Sequence, residues 1–267
     1  MKSLQQLMNL KGRVAVITGG AGHLGAAMAE SLAETGCSIC IVDRPGSRMD
    51  DLCVHLRAEW QVEAHGIAAD LEQEQERIAL PAQVAQRFGS ADILVNNAAF
   101  VGDSALKGWG VCFEDQRIDT WRRALEVNLT ATFHLSQIFT PQLRAGGKGS
   151  IINIGSIYGI VGPDNALYEG TTMGNPAAYA ASKGGVVQMT RWLSTVLAPD
   201  IRVNSISPGG IARGQADSFT QRYIARTPMR RMGTEEDFKG AIAFFASDLS
   251  AWVTGENLMV DGGWTAW

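Results

Sequence analysis

Three side chains of this sequence have types and an order suited to moving a proton, namely Ser156, Tyr179 and Lys183. Tyr179 and Lys183 stand four positions apart in YAASK, so a helix there places both on one face. A tyrosine phenol has a pKa of about 10, and a nearby ammonium stabilises the phenolate and lowers that pKa. Ser156 can hydrogen-bond a substrate oxygen. These residues predict acid–base chemistry at an alcohol or a carbonyl, although a tyrosine and a lysine at this spacing also begin ordinary amphipathic helices.

These side chains need a scaffold, and the chain alternates short apolar runs with helical stretches. Strands are predicted at 14–18, 38–43, 63–68, 93–96, 150–154, 202–207 and 257–260. Helices are predicted at 23–35, 48–59, 72–88, 119–143, 179–197 and 235–246. Continuous apolar strands that alternate with helices are typical of a parallel sheet covered on both faces. We therefore predict an α/β fold, a Rossmann-like doubly wound parallel sheet in three layers, as one domain over residues 1–267.

Two long segments interrupt this alternation, 159–178 and 209–233. The first is rich in Gly, Pro, Asn and Thr, and the second has little apolar periodicity and carries three arginines in RTPMRR. Each follows a strand at the edge where ligands of such sheets bind, so we predict that both form substrate-binding loops or lids. Excursions over the surface are the alternative.

A glycine-rich turn joins the first predicted strand to the first predicted helix, with glycines at Gly19, Gly22 and Gly25 and with His23 and Leu24 between them. Glycines let a backbone pass close to a pyrophosphate, and a helix N-terminus offers free N–H groups and the positive end of its dipole. Glycine also marks ordinary tight turns, but the flanking strand and helix favour a dinucleotide site.

Asp43 ends the second predicted strand. A carboxylate there can accept hydrogen bonds from both ribose hydroxyls of an adenosine and would repel a 2′-phosphate, which favours NAD over NADP. The adjacent Arg44 favours the opposite, since a guanidinium can bind that phosphate, and a solvated aspartate at a strand end is the alternative to both.

Further polar and small residues follow the next two predicted strands. Asp70 and Leu71 come after the third strand, where they are expected to contact the adenine, and Asn97 and Ala98 come after the fourth. Such residues also suit any tight turn. Together they place possible cofactor contacts at successive strand ends along one edge of the sheet.

Composition narrows the choice of partners. The net charge is −4, the sequence pI is about 5.6 and no basic stripe is present, so neither nucleic acid nor an anionic membrane is expected as a partner. The first apolar run is too short for a signal peptide or a membrane span. Cys37 and Cys40 form a C-x-x-C pair inside an apolar strand, which favours buried free thiols over redox or zinc chemistry. We expect no metal and a cytoplasmic location.

The order of the motifs resembles that of the short-chain dehydrogenase/reductase family. The motifs are TGGAGHLG at 18–25, Asp70, NNAA at 96–99, Asn128, Ser156, YAASK at 179–183, PGG at 208–210 and VTGENLMVDGGW at 253–264. They span nearly the whole chain, and the ordered set is far more specific than YxxxK alone.

This resemblance implies a catalytic tetrad. Tyr179 would be the acid and base, and Lys183 would lower its pKa while holding the nicotinamide ribose. Ser156 would polarise the carbonyl. Asn128, in EVNLT, would join a water-mediated proton relay to Lys183; its alternative role is to kink its own helix.

The family also implies contacts and partners beyond the tetrad. Pro208, Gly209 and Ile211 would pass over the nicotinamide. Most relatives are homotetramers and some are homodimers, with long helices and the C-terminal segment as interfaces. The apolar ending, Trp264 to Trp267, is consistent with burial against another subunit.

The chain departs from the single-domain branch of the family in its glycine spacing and in one loop. His23 stands where relatives usually carry glycine, and the resulting G-x-x-G-x-x-G spacing resembles that of sugar-nucleotide epimerases and dehydratases. The segment between Ser156 and Tyr179 is longer than is usual in the family. Together with the glycine-rich turn, the segment is similar to that of gluconate 5-dehydrogenases and of dehydrogenases of bacterial surface-sugar biosynthesis. Its side chains suited to binding hydroxyls favour a polyol, sugar or sugar phosphate as substrate; they are Asp164, Asn165, Tyr168 and Glu169.

Arg213 is a further departure, since relatives commonly carry a threonine there that meets the nicotinamide carboxamide. Arg213 is expected to contact the cofactor pyrophosphate or, together with Arg226, Arg230 and Arg231, an anionic substrate. The alternative is that these arginines face water.

These residues predict an enzyme that interconverts a secondary alcohol and a ketone on a small-molecule substrate, with NAD(H) as the cofactor. Two alternatives stay open. The glycine spacing favours an epimerase or dehydratase of nucleotide sugars that retains its NAD. A catalytically silent NAD-binding regulator is the other, although the four tetrad residues are all present.

Overall fold

The structure is a computed structural model and describes residues 1–102 and 106–267. Within these residues, seven strands form one parallel sheet in the order β3-β2-β1-β4-β5-β6-β7. They are β1 (Val14–Thr18), β2 (Ser38–Asp43), β3 (Ala64–Ala68), β4 (Ile93–Asn96), β5 (Gly149–Ile154), β6 (Ile201–Pro208) and β7 (Asn257–Val260). The strand order reverses between β1 and β4, which opens a crevice at their carboxyl ends. The predicted doubly wound α/β fold is confirmed.

Helices cover both faces of the sheet. In the described residues they are α1 (Leu4–Met8), α2 (His23–Glu34), α3 (Met49–Trp60), α4 (Glu74–Phe88), α5 (Ile118–Leu125), α6 (Ala131–Ala145), α7 (Ala177–Leu197), α8 (Asp217–Arg226) and α9 (Lys239–Ala246). One core contains Met28 of α2, Leu56 of α3 and Phe245 of α9. The other contains Val84 of α4 and Phe139 of α6, together with residues of α7. The result is three layers, with burial of apolar strands on both faces as the main stabilising term.

The stretch predicted as one helix over 119–143 is divided. Helix α5 ends at Leu125, a π-helical turn spans Glu126–Thr130, and α6 begins at Ala131. A π-helical turn adds one residue to a helix and often lies at a functional site. Asn128 is at the centre of this turn, in agreement with the alternative that it distorts its own helix.

Helix α8 lies inside the segment 209–233, which we predicted as a loop. Its buried side carries only Phe219 and Tyr223, one turn apart, and its other positions are largely polar. So short an apolar side leaves little periodicity in the sequence. The segment 159–178 is mostly irregular, with a 3₁₀ turn at Asn165–Tyr168.

Burial places the cysteines and the C-terminal tryptophans differently. Cys37 and Cys40 are buried free thiols, as predicted, and burial raises the pKa of Cys40 to about 12. Trp264, which begins the apolar ending considered for a subunit interface, is buried within its own chain and stacks on Tyr223 at 5.8 Å between ring centroids. Trp267 remains 73% exposed.

Among the described helices, none combines the length and apolar character needed to cross a membrane.

Candidate active site

The glycine-rich turn packs too closely for side chains at two of its positions. Gly19 has φ +60°, and a Cβ on it would lie 2.8 Å from the Cα of Ala98. A Cβ on Gly25 would lie 2.3 Å from the carbonyl oxygen of Gly19. A Cβ on Gly22, in contrast, would meet that oxygen at 3.2 Å. The two flanking glycines therefore let α2 begin directly against the turn, whereas Gly22 is less constrained.

The N-terminus of α2 is free to bind an anion. Ala26 is the first residue of the helix whose N–H reaches a carbonyl of this segment, that of Gly22 at 2.7 Å. In the described part of the chain no side chain caps this end, so the N–H groups of His23, Leu24 and Gly25 lack helical acceptors. Uncapped amides and the positive end of the helix dipole suit a pyrophosphate.

Asp43 is held at the carboxyl end of β2. Its Oδ2 accepts a hydrogen bond from the Ala21 N–H at 2.9 Å, and its Oδ1 accepts one from the Arg44 N–H at 2.8 Å. The carboxylate is therefore tied to the glycine-rich turn, and it faces the same cavity as Arg44, whose side chain is exposed.

Asn97, which directly follows β4, holds the glycine-rich turn in place through hydrogen bonds. Its Nδ2 donates to the carbonyl oxygens of Thr18 at 3.0 Å and Gly19 at 2.9 Å, while the hydroxyl of Thr18 accepts from the N–H groups of Asn97 and Ala98. Asp70 likewise orders its own turn by accepting from the Glu72 N–H at 3.0 Å. Polar residues at these strand ends thus build the walls of the crevice.

The predicted proton-transfer residues converge where β5 meets α7. Ser156 follows β5 and is buried, and its Oγ accepts a hydrogen bond from the Tyr158 N–H at 3.1 Å. Lys183 is 2% exposed and donates to the carbonyl oxygen of Ile154 at 2.6 Å. Its Nζ lies 5.8 Å from the ring centroid of Tyr179.

Burial acts on both titrating groups of this cluster. It lowers the pKa of Lys183 to about 8, because a charged ammonium is costly away from water. It raises the pKa of Tyr179, and hydrogen bonding by Ser156 opposes that rise. In the chain alone, burial outweighs Ser156 and leaves the pKa of Tyr179 above its ordinary value.

Asn128 reaches the catalytic helix without contacting Lys183 directly. Its Oδ1 accepts from the Phe100 N–H at 2.6 Å, and its Nδ2 donates to the Oγ of Ser182 at 3.0 Å. Ser182 in turn donates to the carbonyl oxygen of Tyr179 at 2.8 Å. Asn128 therefore links the end of β4, the π-helical turn and α7.

A cavity of about 960 Å³ runs along these strand ends. It contains Ser156 and every residue that we predicted to bind the cofactor: Gly19, Gly22, His23, Leu24, Gly25, Asp43, Asp70, Leu71, Asn97, Ala98, Tyr179, Lys183, Pro208, Gly209 and Ile211. Asn128 is the one tetrad residue that lies behind its wall. A glycine-lined cradle, an uncapped helix end and strand-end carboxylates in one cavity fit a dinucleotide.

The two predicted substrate segments pack against each other. Arg222 of α8 donates to the carbonyl oxygen of Glu169 at 2.7 Å, and Arg226 forms an ion pair with Asp164. The rings of Tyr168 and Phe219 lie 5.5 Å apart. Helix α8 therefore packs against the segment 159–178.

Most of the arginines considered for anion binding are already engaged. Arg226 is paired with Asp164, Arg231 binds both carboxylate oxygens of Asp237, and Arg230 donates to a backbone carbonyl. Arg213 lines the cavity and lies 3.3 Å from a carboxylate oxygen of Glu235. Of the four, Arg213 is the one placed to meet a ligand.

Some contributing residues were missed in the sequence analysis. Ser182 lies inside the YAASK motif but had no predicted role. Arg77, 2% exposed, pairs with Glu126 at 2.7 Å and donates to the carbonyl oxygen of Leu71, so it joins the strand-end turn to the π-helical turn. No local signal identifies a buried arginine in a helix rich in charged residues, since the carboxylate that pairs with it, that of Glu126, is distant in sequence. In the described residues, no group of three His, Cys, Asp or Glu side chains could hold a metal ion.

A doubly wound sheet with this cradle and this Ser–Tyr–Lys cluster defines a dinucleotide-dependent oxidoreductase. Residues 19–265 match a family model described as enoyl-(acyl carrier protein) reductase, and the chain belongs to the short-chain dehydrogenase/reductase family. The resemblance drawn from the motifs is thereby confirmed. The fold of this family binds a nicotinamide cofactor.

Individual relatives are also dehydrogenases. The chain is 35% identical over 259 residues to a cis-4-hydroxycyclohexanecarboxylate dehydrogenase of Sinomonas cyclohexanicum, covering 95% of this chain and 97% of that protein. A solved NAD⁺-bound xylitol dehydrogenase is 31% identical with a TM-score of 0.84, covering 95% and 99% of the two chains. A structure described as a gluconate 5-dehydrogenase of Beutenbergia cavernae, with NADP at low occupancy, is 31% identical with a TM-score of 0.85, covering 98% and 100%.

Proposed function

We propose that this chain is an NAD(H)-dependent oxidoreductase that interconverts a secondary alcohol and a ketone, on a substrate of the polyol, sugar or sugar-phosphate type. One observation carries the proposal: Ser156, Tyr179 and Lys183 meet in the same cavity as the glycine cradle and Asp43. A proton donor next to a dinucleotide cradle suits the paired transfer of a hydride and a proton.

In this mechanism the chain's own residues handle the substrate oxygen and its proton. Tyr179 takes the proton of the alcohol during oxidation and returns it during reduction. The Oγ of Ser156 accepts from the Tyr158 N–H, which leaves its own hydrogen free to donate to the substrate oxygen. When bound, the nicotinamide accepts or supplies the hydride.

Lys183 supports Tyr179 by charge. With its pKa at about 8, it is largely protonated at neutral pH. One of its three donors is engaged by Ile154, so the others can hold a cofactor ribose. Because burial disfavours the phenolate of Tyr179, the cation of Lys183 and the positive charge of an oxidised nicotinamide are needed to favour it.

The preference for NAD rests on Asp43. The hydrogen bonds from the N–H groups of Ala21 and Arg44 hold its carboxylate in the cavity wall, where ribose hydroxyls would find an acceptor and a 2′-phosphate a like charge. The exposed Arg44 lines the same cavity, where its guanidinium would favour a 2′-phosphate, and the ratio of kcat/KM with NAD to that with NADP measures which of the two charges has the larger effect.

The substrate class is supported by the relatives and by the polar segment 159–178. Xylitol and 4-hydroxycyclohexanecarboxylate, the substrates in two relatives' names, are secondary alcohols with further polar groups.

We also propose a homotetramer or homodimer, because Phe133, Trp192 and Val196 on α6 and α7 are 42–57% exposed. Light scattering on purified protein would test the assembly.

The test is a screen of polyols, sugars, sugar acids and sugar phosphates for NADH formation, with Tyr179→Phe as the control. We expect oxidation of at least one class, reduced by about 100- to 10,000-fold in the variant. A rate untouched by the substitution would contradict the mechanism, and activity with NADP alone would contradict the proposal for Asp43. An NAD-retaining epimerase would convert its substrate without net NADH release, whereas a silent regulator would convert none.

A further inference from the structure

Helix α7 begins only two residues before Tyr179, so the proposed acid–base residue lies in the first turn of its helix. The N–H groups of a first turn have no acceptors within the helix, and helix ends fray. Pro176 occupies the capping position, where Ser, Thr, Asp or Asn usually supplies an acceptor, and proline has no such side chain. The start of α7 therefore needs an acceptor from elsewhere in the chain.

The side chain of Gln116 supplies that acceptor. Its Oε1 accepts a hydrogen bond at 3.0 Å from the N–H of Ala177, the first residue of α7, although the two residues are 61 positions apart. The Tyr179 N–H donates to the carbonyl oxygen of Pro176 at 3.0 Å, so the capped end and the backbone of Tyr179 belong to the same turn. Gln116 thus ties down the turn from which Tyr179 projects.

Gln116 belongs to an ordered stretch of chain, residues 106–117, which we call the capping segment. The N–H of Gln116 donates to the carbonyl oxygen of Phe113 at 3.2 Å. A Cβ on Gly174 would lie 3.2 Å from the carbonyl oxygen of Gly110, so the capping segment also lies directly against the chain that leads into α7. The acceptor is therefore held in place by its own surroundings.

The capping segment also contributes to the active-site cavity. Leu106 lines the cavity, and Trp109 packs edge-on against Phe100, another lining residue, with 5.1 Å between ring centroids. The Nε1 of Trp109 donates to the carbonyl oxygen of Val101 at 2.6 Å. Tyr179 packs in the same apolar cluster as Phe100, Leu106 and Trp109. The segment that caps α7 is therefore part of the wall beside Tyr179.

We propose that Gln116 is a positioning residue for Tyr179, which holds the start of α7 so that the phenol meets the substrate oxygen beside Ser156. Ser182 holds the carbonyl oxygen of Tyr179 from within the same helix, and Gln116 holds the turn before it. This inference rests on the proposed function, because the position of Tyr179 affects turnover only if Tyr179 transfers a proton. Stabilisation of the helix without an effect on chemistry is the alternative.

The experiment measures oxidation by the purified full chain with NAD and the alcohol of highest Tyr179-dependent rate in the screen, beginning with xylitol and D-gluconate. Gln116→Met removes the acceptor and nearly keeps the side-chain size. It should lower kcat by roughly tenfold to 100-fold, since small displacements of a reacting group slow a reaction strongly. KM and the dissociation constant of NADH should stay within about twofold, because the glycine cradle lies on other elements.

Two further variants separate the hydrogen bond from the size of the side chain. Gln116→Glu keeps an oxygen acceptor at the helix end and should keep kcat within about threefold of the unmodified chain. Ala177→Pro removes the donor instead, at a first helical position where proline is favoured. The midpoint of its thermal unfolding should therefore not fall, whereas its kcat should fall as in Gln116→Met.

A local measurement and a count of binding sites exclude general loss of folded protein. Amide hydrogen exchange should become faster at the start of α7 in Gln116→Met, but not in Gln116→Glu and not in α2. Fluorescence titration with NADH counts the binding sites, and every kcat is divided by that number. Gln86→Met, at an exposed position of α4, is the matched control and should leave all of these quantities unchanged.

Several results would overturn the inference while leaving the proposed function in place. They are a kcat per NADH-binding site unchanged in Gln116→Met, equal losses in Gln116→Met and Gln116→Glu, full kcat in Ala177→Pro, or a fall in kcat without faster exchange at the start of α7. The proposed function itself fails on a different result, namely no Tyr179-dependent oxidation of any alcohol tested, and the inference then fails with it.

Discussion

Asn128 donates from its Nδ2 to the Oγ of Ser182 at 3.0 Å, across the boundary between the π-helical turn and the catalytic helix. Ser182 in turn donates a hydrogen bond to the backbone carbonyl oxygen of Tyr179. The position of the acid–base residue therefore depends on a buried polar chain that touches no reacting atom.

We expect Asn128→Ala to reduce both stability and turnover. The substitution leaves the partly buried Phe100 N–H without its acceptor, which costs about 1–3 kcal/mol. Ser182→Ala removes the hydroxyl that accepts from Asn128 and donates to the carbonyl oxygen of Tyr179, and should cost about 1–2 kcal/mol. Urea unfolding and kcat on one substrate would measure both effects. A loss of stability without any loss of kcat would argue that the chain is structural only.

Lys183→Met should raise the stability of the cofactor-free protein while lowering its activity. The pKa of Lys183 falls from its ordinary value of 10.5 to about 8 in the folded chain, so folding disfavours the ammonium. That destabilisation is fully present below pH 8 and disappears as pH rises towards the ordinary value of lysine. At about 1.4 kcal/mol per pKa unit it amounts to about 3 kcal/mol, and losing the bond to Ile154 offsets about 1 kcal/mol of the gain.

The measurement is urea unfolding of both proteins at pH 7 and at pH 10. The variant should be more stable at pH 7 by about 2 kcal/mol, and the difference should shrink at pH 10. A variant that is less stable than the unmodified protein at both pH 7 and pH 10 would show that burial of the Lys183 ammonium does not destabilise the folded chain. Arg191→Met, on the exposed side of the same helix, serves as the control.

Gly25→Ala should abolish dinucleotide binding, while Gly22→Ala should weaken it far less. A methyl on Gly25 would lie 2.3 Å from the Gly19 carbonyl oxygen, so the turn must move, whereas the corresponding distance for Gly22 is 3.2 Å. The quenching of tryptophan fluorescence on NADH titration would report both dissociation constants. Equal losses in the two variants would contradict a steric origin.

Asp43→Asn should narrow the preference for NAD over NADP. Asparagine keeps an acceptor for the Ala21 N–H but removes the negative charge that repels a 2′-phosphate. We expect kcat/KM with NADP to rise by roughly tenfold, which corresponds to about 1.4 kcal/mol. Arg44→Ala, made in addition to Asp43→Asn, should reverse part of that gain. If the ratio of kcat/KM with NAD to kcat/KM with NADP is unchanged in Asp43→Asn, Asp43 does not take part in recognising the ribose.

The strands and the cofactor edge were predictable because their signals are local. Val14–Thr18 is apolar at four of its five positions and buried at all five, as is typical of a strand covered on both faces. Glycines at a strand-to-helix turn are required by close backbone approach. Helix α8 was not predictable in this way, since it is held by Phe219 and Tyr223 and by arginines that reach across to another segment.

The α/β architecture and the glycine cradle follow from the amino-acid order, because periodicity, glycine spacing and motif order are present along the chain, and the same order gives Ser156, Tyr179 and Lys183 as the proposed proton-transfer residues. Which polar groups are engaged and which are free depends on the folded arrangement. The side chain of Arg226 is of a type that binds anions, but in the folded chain it forms an ion pair with Asp164. Such pairings join residues distant in sequence, and their energies depend on burial, which exists only once the chain has folded.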